Sequence, residues 1–392
     1  MTSVIPAGAF PIRGAVDPTD VVGRRQFADR LKADVTAGQA LILMGPRRTG
    51  KSSVAGLVAE ELRADKTTPH AIVQIDLEHI SELRDFTDAV FDACNSLLGQ
   101  PQGLMRMISG EVARRASVVD LKLKAGPFAE VGVQLALEKS ETSRLNTALG
   151  LLATTVERLG LPILVVLDEF QEGGKLHQDF YKNIRFHVGK HKTQVRWLFL
   201  GSQASMLQAL YAKSGSPLYR ALLPRKLPDP QPEEWLPFLT DRFRSLGISF
   251  EPDALEVVTA RCGGFAQDVM KVAHELFVSA SLAHKNKLTA GDCEAAVEAA
   301  LEELDDSFDE LWARIGQDRG ARLAVARIAN GRRLWEGLSK TDQSAVQHSL
   351  KGLEVEAIVV KLGRAAYALR EPLFAEHLSR KGDAALRVLL PG

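Results

Sequence analysis

Residues Gly45-Pro46-Arg47-Arg48-Thr49-Gly50-Lys51-Ser52 fit the pattern G-x-x-x-x-G-K-[ST] at every position. Glycines at that spacing let a loop curl until successive backbone N–H groups face one anion, and phosphate is the anion such a loop suits. Lys51 would neutralise the outer phosphates of a polyphosphate, and the Ser52 hydroxyl would hold Mg²⁺. The apolar run Ala40–Met44 precedes the loop and a helix-like stretch, Ser53–Leu62, comes after it. A helix that starts at the loop adds its partial positive charge to the same place. The plainer alternative is a glycine turn with a surface lysine; the strand before it and the helix after it argue against that.

A second group of residues supplies what phosphoryl chemistry still lacks. Leu161-Pro162-Ile163-Leu164-Val165-Val166-Leu167-Asp168-Glu169 is an apolar run ending in two acids. It reads as a parallel strand buried on both faces. Carboxylates at the C-terminal end of such a strand project where ligands bind in open α/β sheets. Asp168 would ligate Mg²⁺ or accept a bond from its bound water, and Glu169 would orient and deprotonate an attacking water. Strands often end in acids, so this run gains its meaning from the phosphate loop.

Those residues need a parallel sheet to hold them, and the chain reads as one from Ala40 to about Gly201. Apolar strands are predicted at 40–44, 71–76, 163–167 and 195–200, alternating with helical patterns. Such alternation implies an α/β core with helices covering the sheet. Val119, Leu121 and Leu123, then Val131, Val133, Leu135 and Leu137, alternate with polar residues about the turn Ala125–Phe128. This predicts a β-hairpin insert at about 117–138, either a partner-contact element or a flap over a sheet edge. Leu227-Pro228-Asp229-Pro230-Gln231-Pro232 cannot continue a helix or a central strand and marks a junction. Beyond it, helices are predicted at 233–246, 252–261, 265–283, 289–301 and 302–315.

The predicted organisation is a lead segment 1–39, a core 40–228, a helical lid 229–318 and a terminal domain 319–392. The terminal domain reads as three helices (321–329, 333–337 and 342–353) followed by a hairpin of 357–360 and 366–369 about Gly363-Arg364. That is a winged helix, a helix-turn-helix variant. Residues 320–392 carry twelve Lys/Arg against seven acids, whereas the whole chain balances at 49 of each. The chain as a whole is therefore no polycation, and the terminal domain is its one compositional hint of nucleic acid. Gln343, Gln347, His348 and Lys351 are the base-reading candidates, with Asp342 expected to face phosphate unfavourably. A protein-contact role for the winged helix is the alternative.

With 45% apolar and 25% charged residues, the chain has the make-up of a soluble globular protein of two or three domains. Cys94, Cys262 and Cys293 are scattered and odd in number, so neither a disulfide framework nor a zinc site is suggested; each is expected to be a small buried residue. No apolar run approaches membrane-spanning length and no signal-peptide pattern opens the sequence, so the expected location is cytoplasmic, with no membrane partner.

Several of these segments, taken in order, resemble the archaeal-type ATPase family of P-loop NTPases, close to the AAA+ and STAND groups. They are Val22-Gly23-Arg24, the loop Gly45–Ser52, Leu167-Asp168-Glu169-Phe170-Gln171, Gly201-Ser202 and Ser216-Pro217-Leu218-Tyr219. Gly263-Gly264-Phe265 and Glu371-Pro372-Leu373-Phe374 come next. The resemblance covers nearly the whole chain. It implies ATP and Mg²⁺ as cofactors, a helical lid and nucleotide-dependent association into a homo-oligomer. By analogy Val22 and Gly23 would lie near adenine, Gly45, Pro46, Arg47, Arg48, Thr49, Gly50, Lys51, Ser52 and Ser53 would hold the nucleotide, and Ser202 would sense the γ-phosphate. Ser52 and Asp168 would be the metal residues.

Two places depart from the family. Related lids often carry a proline where this chain has Ala266, and a Pro-Leu-Tyr-Gly-Arg run reads Pro217-Leu218-Tyr219-Arg220 without its glycine. A transition-state arginine is therefore sought among Arg185, Arg220 and Arg225, with Arg220 the first choice. The resemblance implies one of two functions. One is an ATPase that acts on DNA or a DNA-bound complex through the winged helix. The other is a slow ATP-switched signalling or scaffold protein, of stress or phage-defence type, whose winged helix contacts a protein client.

Overall fold

The computed structural model describes residues 8–12, 14, 16–99, 128–202, 204–212, 214–363 and 365–382. The chain divides into two compact units, one of Arg25–Gly45 and Lys51–Leu227, the other of Met1–Arg24, Pro46–Gly50 and Pro228–Gly392.

The first unit is built on a five-stranded sheet. Its elements run α1 (Arg25–Thr36), β1 (Leu41–Met44), α2 (Lys51–Arg63), β2 (Ala71–Asp76), α3 (Leu83–Leu97), α4 (Ala129–Leu137), α5 (Glu141–Leu159) and β3 (Ile163–Asp168). They continue with α6 (Gly173–Leu176), α7 (Phe180–Lys190), β4 (Val195–Gly201), α8 (Ala204–Tyr211) and β5 (Leu223–Lys226). The strand order is β2-β3-β4-β1-β5 and every pairing is parallel. All four residues of β1 and all six of β3 are buried, as strands covered on both faces require. Phe86, Phe170, Phe180 and Phe199 fill the helix–sheet layer, with Phe170 and Phe199 ring centroids 4.2 Å apart.

The sequence reading missed β5. Pro224 and an alternating half-buried pattern disguise it, and it lies at the sheet edge, where proline is tolerated. The predicted hairpin needs correction. Residues 129–137 form a helix, and its proposed first strand lies outside the described residues. Leu135 is buried, Val131, Val133 and Ala136 pack against the same core and Leu137 is exposed, so the alternation does not persist as one face, and the helix contacts α5.

The second unit is mainly helical: α9 (Pro232–Ser245), β6 (Ser249–Phe250), α10 (Ala254–Cys262), α11 (Ala266–Leu282), β7 (Lys287–Leu288) and α12 (Ala290–Ile315). Then come α13 (Arg319–Ala329), α14 (Lys340–Val355), β8 (Val359–Gly363), β9 (Ala366–Leu369) and α15 (Pro372–Lys381). The two helices predicted at 289–301 and 302–315 are one helix of 26 residues, because an Ala/Glu/Leu-rich sequence offers no breaker between them. β6 and β7 form a small parallel ladder that the sequence reading did not anticipate. Phe10 of the lead segment is buried here, with its ring centroid 4.8 Å from that of Phe243.

The terminal domain has the helices and antiparallel hairpin of a winged helix, with one difference. Residues 334–337, predicted as part of a second helix, form a turn. Five residues cannot offset the cost of helix nucleation. The Arg327 guanidinium instead satisfies the turn's carbonyls, donating to Arg333 at 2.7 Å and also to Glu336. One continuous apolar core runs from Trp235 through Val297 and Phe308 to Val346 and Phe374, so the helical stretch and the terminal domain are packed together.

Asp268 is buried in this unit, 2% exposed, where it accepts a bond from the Leu373 N–H at 3.3 Å at the start of α15. Burial pushes its carboxyl well above the usual range, and nearby Glu371 adds to the effect. The folded chain therefore holds this proton more tightly than the unfolded chain does. The stabilisation is fully present below the ordinary carboxylate pKa and is lost as pH rises through the raised folded value. Asp268→Asn keeps an acceptor without a charge. It is expected to raise the thermal midpoint by roughly 2–8 °C at pH 8 and by much less at pH 4.5, as calorimetric melting at the two pH values would read.

Candidate functional site

The sheet order places the sequence's chemistry at one edge of the first unit. β4 lies between β1 and β3, so the segment leaving β4 has the β1 exit on one side and the β3 exit on the other. Gly45, Ser202 and the acids Asp168-Glu169 therefore gather at or just past the carboxyl ends of parallel strands. The Gly45 N–H reaches the Gly201 carbonyl at 3.4 Å.

Between β1 and α2 the loop takes two left-handed residues, Arg48 at φ 63° and Gly50 at φ 85°. Gly50 supplies that conformation without a steric penalty just before the helix begins. The Thr49 hydroxyl donates to the Pro46 carbonyl at 2.9 Å, which holds the curl. Arg47 and Arg48 are exposed, and Ser53 is buried on α2. Lys51 is only 5% exposed at the first position of α2, so its stem is packed as well.

The Ser52 hydroxyl donates to Asp168 Oδ2 at 2.5 Å, bringing the two predicted metal residues together. Asp168 Oδ1 accepts the Glu169 N–H at 2.8 Å. Burial raises the Asp168 carboxyl, while the Ser52 bond and the Lys51 charge act in the opposite sense. A hydroxyl and a carboxylate beside a lysine form a hard-oxygen donor set that suits Mg²⁺ and phosphate.

Glu169 sits in the left-handed region at φ 45°, which turns its side chain away from the strand direction and toward β4. The Ser202 hydroxyl donates to Glu169 Oε2 at 2.6 Å. Gln171 donates from the same amide nitrogen to Glu169 and to Ser202, the latter at 3.3 Å. Sequence reasoning placed Gln171 in a motif without a role. It is 1% exposed, and its buried Oε1 has no partner among the described residues, leaving an acceptor for a water or a ligand donor. Tyr181 braces the turn by donating to the Gln171 carbonyl at 2.8 Å.

Gly201 explains how Gln171 fits. A Cβ there would meet Leu207 Cδ1 at 2.5 Å and Gln171 Oε1 at 2.8 Å. Gly201→Ala is expected to cost about 1–3 kcal/mol through overpacking. It should also displace Gln171 from Glu169, so turnover should fall further than stability does, when urea melts and phosphate release are measured on one preparation.

The three arginine candidates part company. Arg225 is engaged with Asp34, with Nη2 at 2.7 Å and Nε at 3.0 Å from the same oxygen. Arg185 donates to the Tyr219 carbonyl at 2.8 Å, and the Arg220 guanidinium lies 5.1 Å from the Tyr219 ring centroid; both arginines are exposed. Arg220 has φ 54°, a conformation that glycine adopts more readily than arginine. Val22 and Gly23 belong to the second unit, where Gly23 packs against Glu234 and Pro230.

In the terminal domain, α14 presents Lys340, Gln343, Ser344, Gln347, His348 and Lys351 to solvent. Asp342, expected to oppose phosphate, is turned inward. It caps the helix through Ser339 and pairs with Arg319 at 2.9 Å. The exposed face of α14 over 340–351 therefore carries no free acid. The three cysteines are buried, as anticipated. No helix among the described residues is long and apolar enough to cross a membrane.

No protein-family model matches the chain, and no curated protein matches it. Solved structures do. The chain is similar to the Walker-type ATPase PABY2304 of Pyrococcus abyssi, at 16% identity and a TM-score of 0.66, over 95% of this chain and 99% of that one. It is also similar to the Aeropyrum pernix ORC2 protein in ADPNP–ADP complexes, at 15% identity and a TM-score of 0.60, over 97% and 98%. The ADP form of ORC2 gives a TM-score of 0.56 at 15% identity, over 98% of each chain. Likeness over almost the full length supports the fold: a P-loop-type core on a parallel sheet, followed by a helical stretch and a terminal winged helix.

Proposed function

We propose that this chain is a Mg²⁺-dependent ATPase of the archaeal-type, AAA+-like kind. The observation that carries the reading is the linked set Lys51, Ser52–Asp168 and Glu169–Ser202, gathered at the carboxyl ends of three neighbouring strands. In this reading the loop Gly45–Ser53 and Lys51 hold the phosphates. Ser52 and Asp168 hold the metal, Glu169 orients and deprotonates water, and Ser202 couples the γ-phosphate to Glu169. Val22 and Gly23 stay assigned to the adenine side by analogy. The likeness to an ATPase and to a protein solved with ADPNP and ADP supports nucleotide binding.

Assembly through the nucleotide sites is the finer part of the proposal. An efficient phosphoryl-transfer enzyme needs a cation on the transition state, and such a group contributes about 10³–10⁵ in rate. Arg185 and Arg220 are both exposed and both contact Tyr219, and in this reading one of them serves a neighbouring copy. Specific activity is therefore expected to rise with protein concentration, and a mixture of Lys51→Ala and Arg220→Ala subunits should regain part of the turnover that each lacks. Concentration-independent turnover by a protein that stays monomeric with an ATP analogue in light scattering would contradict this. The winged helix, with an acid-free α14 face, is proposed to contact DNA, and cytoplasmic residence remains part of the reading.

The slower alternative is an ATP-switched scaffold with a protein client, in which the bonds of Ser202 and Gln171 to Glu169 Oε2 hold the carboxylate in a resting orientation. Turnover measured with and without duplex DNA across a salt series separates the two readings.

A further inference from the structure

We infer that the terminal domain carries a subsite for an unpaired nucleobase, formed by Trp335 and the start of α14. The inference deepens the nucleic-acid reading of this domain and rests on it. A cleft of about 520 Å³ opens here, lined by Trp335, Lys340, Gln343, Ser344 and Gln347. Its floor is fixed. Trp335 is half-buried and packs partly on the domain's core, while Arg327 clamps the turn that bears it through the carbonyls of Arg333 and Glu336. A tryptophan held from behind and open in front is a stacking platform that is already ordered before a ligand arrives.

The walls carry base-edge chemistry. Gln343 is oriented by a bond from its Nε2 to the Leu338 carbonyl at 3.0 Å, and its oxygen accepts from no described residue. Gln347 and Ser344 make no side-chain hydrogen bond with any described residue. Paired donor and acceptor groups of this kind match the edges of bases. Lys340 stands at the rim as a cation for the adjoining phosphate, and Asp342 is withdrawn into its pair with Arg319. The domain's excess of basic residues complements a nucleic-acid strand.

Between its two ends an intact duplex offers base edges but no base face, so it leaves Trp335 idle along its length; a single-stranded segment offers both at every base. The ligand class is therefore a nucleic-acid strand with at least one unstacked base.

The test uses the full chain with fluorescently labelled single-stranded dA₁₂ and dT₁₂ and a blunt 12-base-pair duplex, read by anisotropy over a salt series. Trp335→Ala is expected to weaken single-strand binding about 5- to 100-fold, with Trp335→Phe restoring most of it, while duplex affinity changes less than about twofold. Gln343→Ala and Gln347→Ala should alter the dA₁₂-to-dT₁₂ preference and leave the salt slope unchanged; Lys340→Ala should reduce that slope by about one. The glutamine and lysine variants keep the test decisive if Trp335→Ala proves unstable in melting. Equal losses for single strand and duplex in Trp335→Ala, or single-strand binding indifferent to both Trp335 and the glutamines, would overturn the subsite and leave the nucleic-acid reading standing. Absence of binding to every probe at low salt would overturn both.

Discussion

Glu169→Gln is expected to bind ATP as the wild-type chain does and to lose about 10²–10⁴ of its turnover, the range for removing a positioned general base. Backbone geometry sets this expectation. Glu169 sits in a left-handed conformation immediately after β3, and its carboxylate is held by Ser202 at 2.6 Å. Glutamine keeps the shape and can still accept those bonds through its amide oxygen, so the loop and Asp168 should stay in place. What it cannot do is take a proton from water. Single-turnover quench of preloaded ATP would show the defect as slow chemistry with normal loading. A wild-type rate would assign the water to another residue, and a loss of loading would mean that Glu169 supports the fold of the site instead.

Lys51→Ala is the second large effect. Lys51 opens α2 beside Asp168 and is almost fully buried, so its ammonium is held in a poorly solvated position where an anion is worth most. A charge-assisted hydrogen bond contributes about 1.5–3 kcal/mol, and losing one or two of them should weaken ATP binding by roughly 10- to 1,000-fold. The packed stem adds a complication, since alanine also leaves a gap in the layer between α2 and the sheet. Lys51→Met fills that gap without a charge. Both variants should lose nucleotide affinity alike in equilibrium dialysis, while only Lys51→Ala should lower the melting temperature. Tight ATP binding by Lys51→Met would mean that the lysine serves packing and not phosphate.

The residues that were legible in the sequence are those whose role is written in local pattern. The phosphate loop and the Asp168-Glu169 strand end could be read because a buried parallel strand leaves an unbroken apolar run and the loop's glycines have fixed spacing. Ser202, just past β4, came from the family resemblance and not from local pattern. Gln171 could not be weighed in this way. Its contact with Glu169 depends on a left-handed backbone at Glu169 and on the missing side chain of Gly201, two features with no local signature. Asp342 was misread because its partner, Arg319, lies on another helix. The segment 129–137 reads as a strand because Val131, Val133, Leu135 and Leu137 alternate with period two, whereas the helix leaves Leu137 exposed and packs the rest beside α5. The turn at 334–337 was read as helical because Arg327, which holds it, lies on the preceding helix.

The ATPase reading is tested most directly by a calorimetric titration of ATP into the wild-type chain, in Mg²⁺ and again in excess chelator. One saturable site per chain is expected, tighter with Mg²⁺ in the proposed reading, where Ser52 and Asp168, joined at 2.5 Å, would seat the metal. The heat is expected to disappear in Lys51→Met. No saturable binding, or binding of equal strength in Lys51→Met, would contradict the assignment.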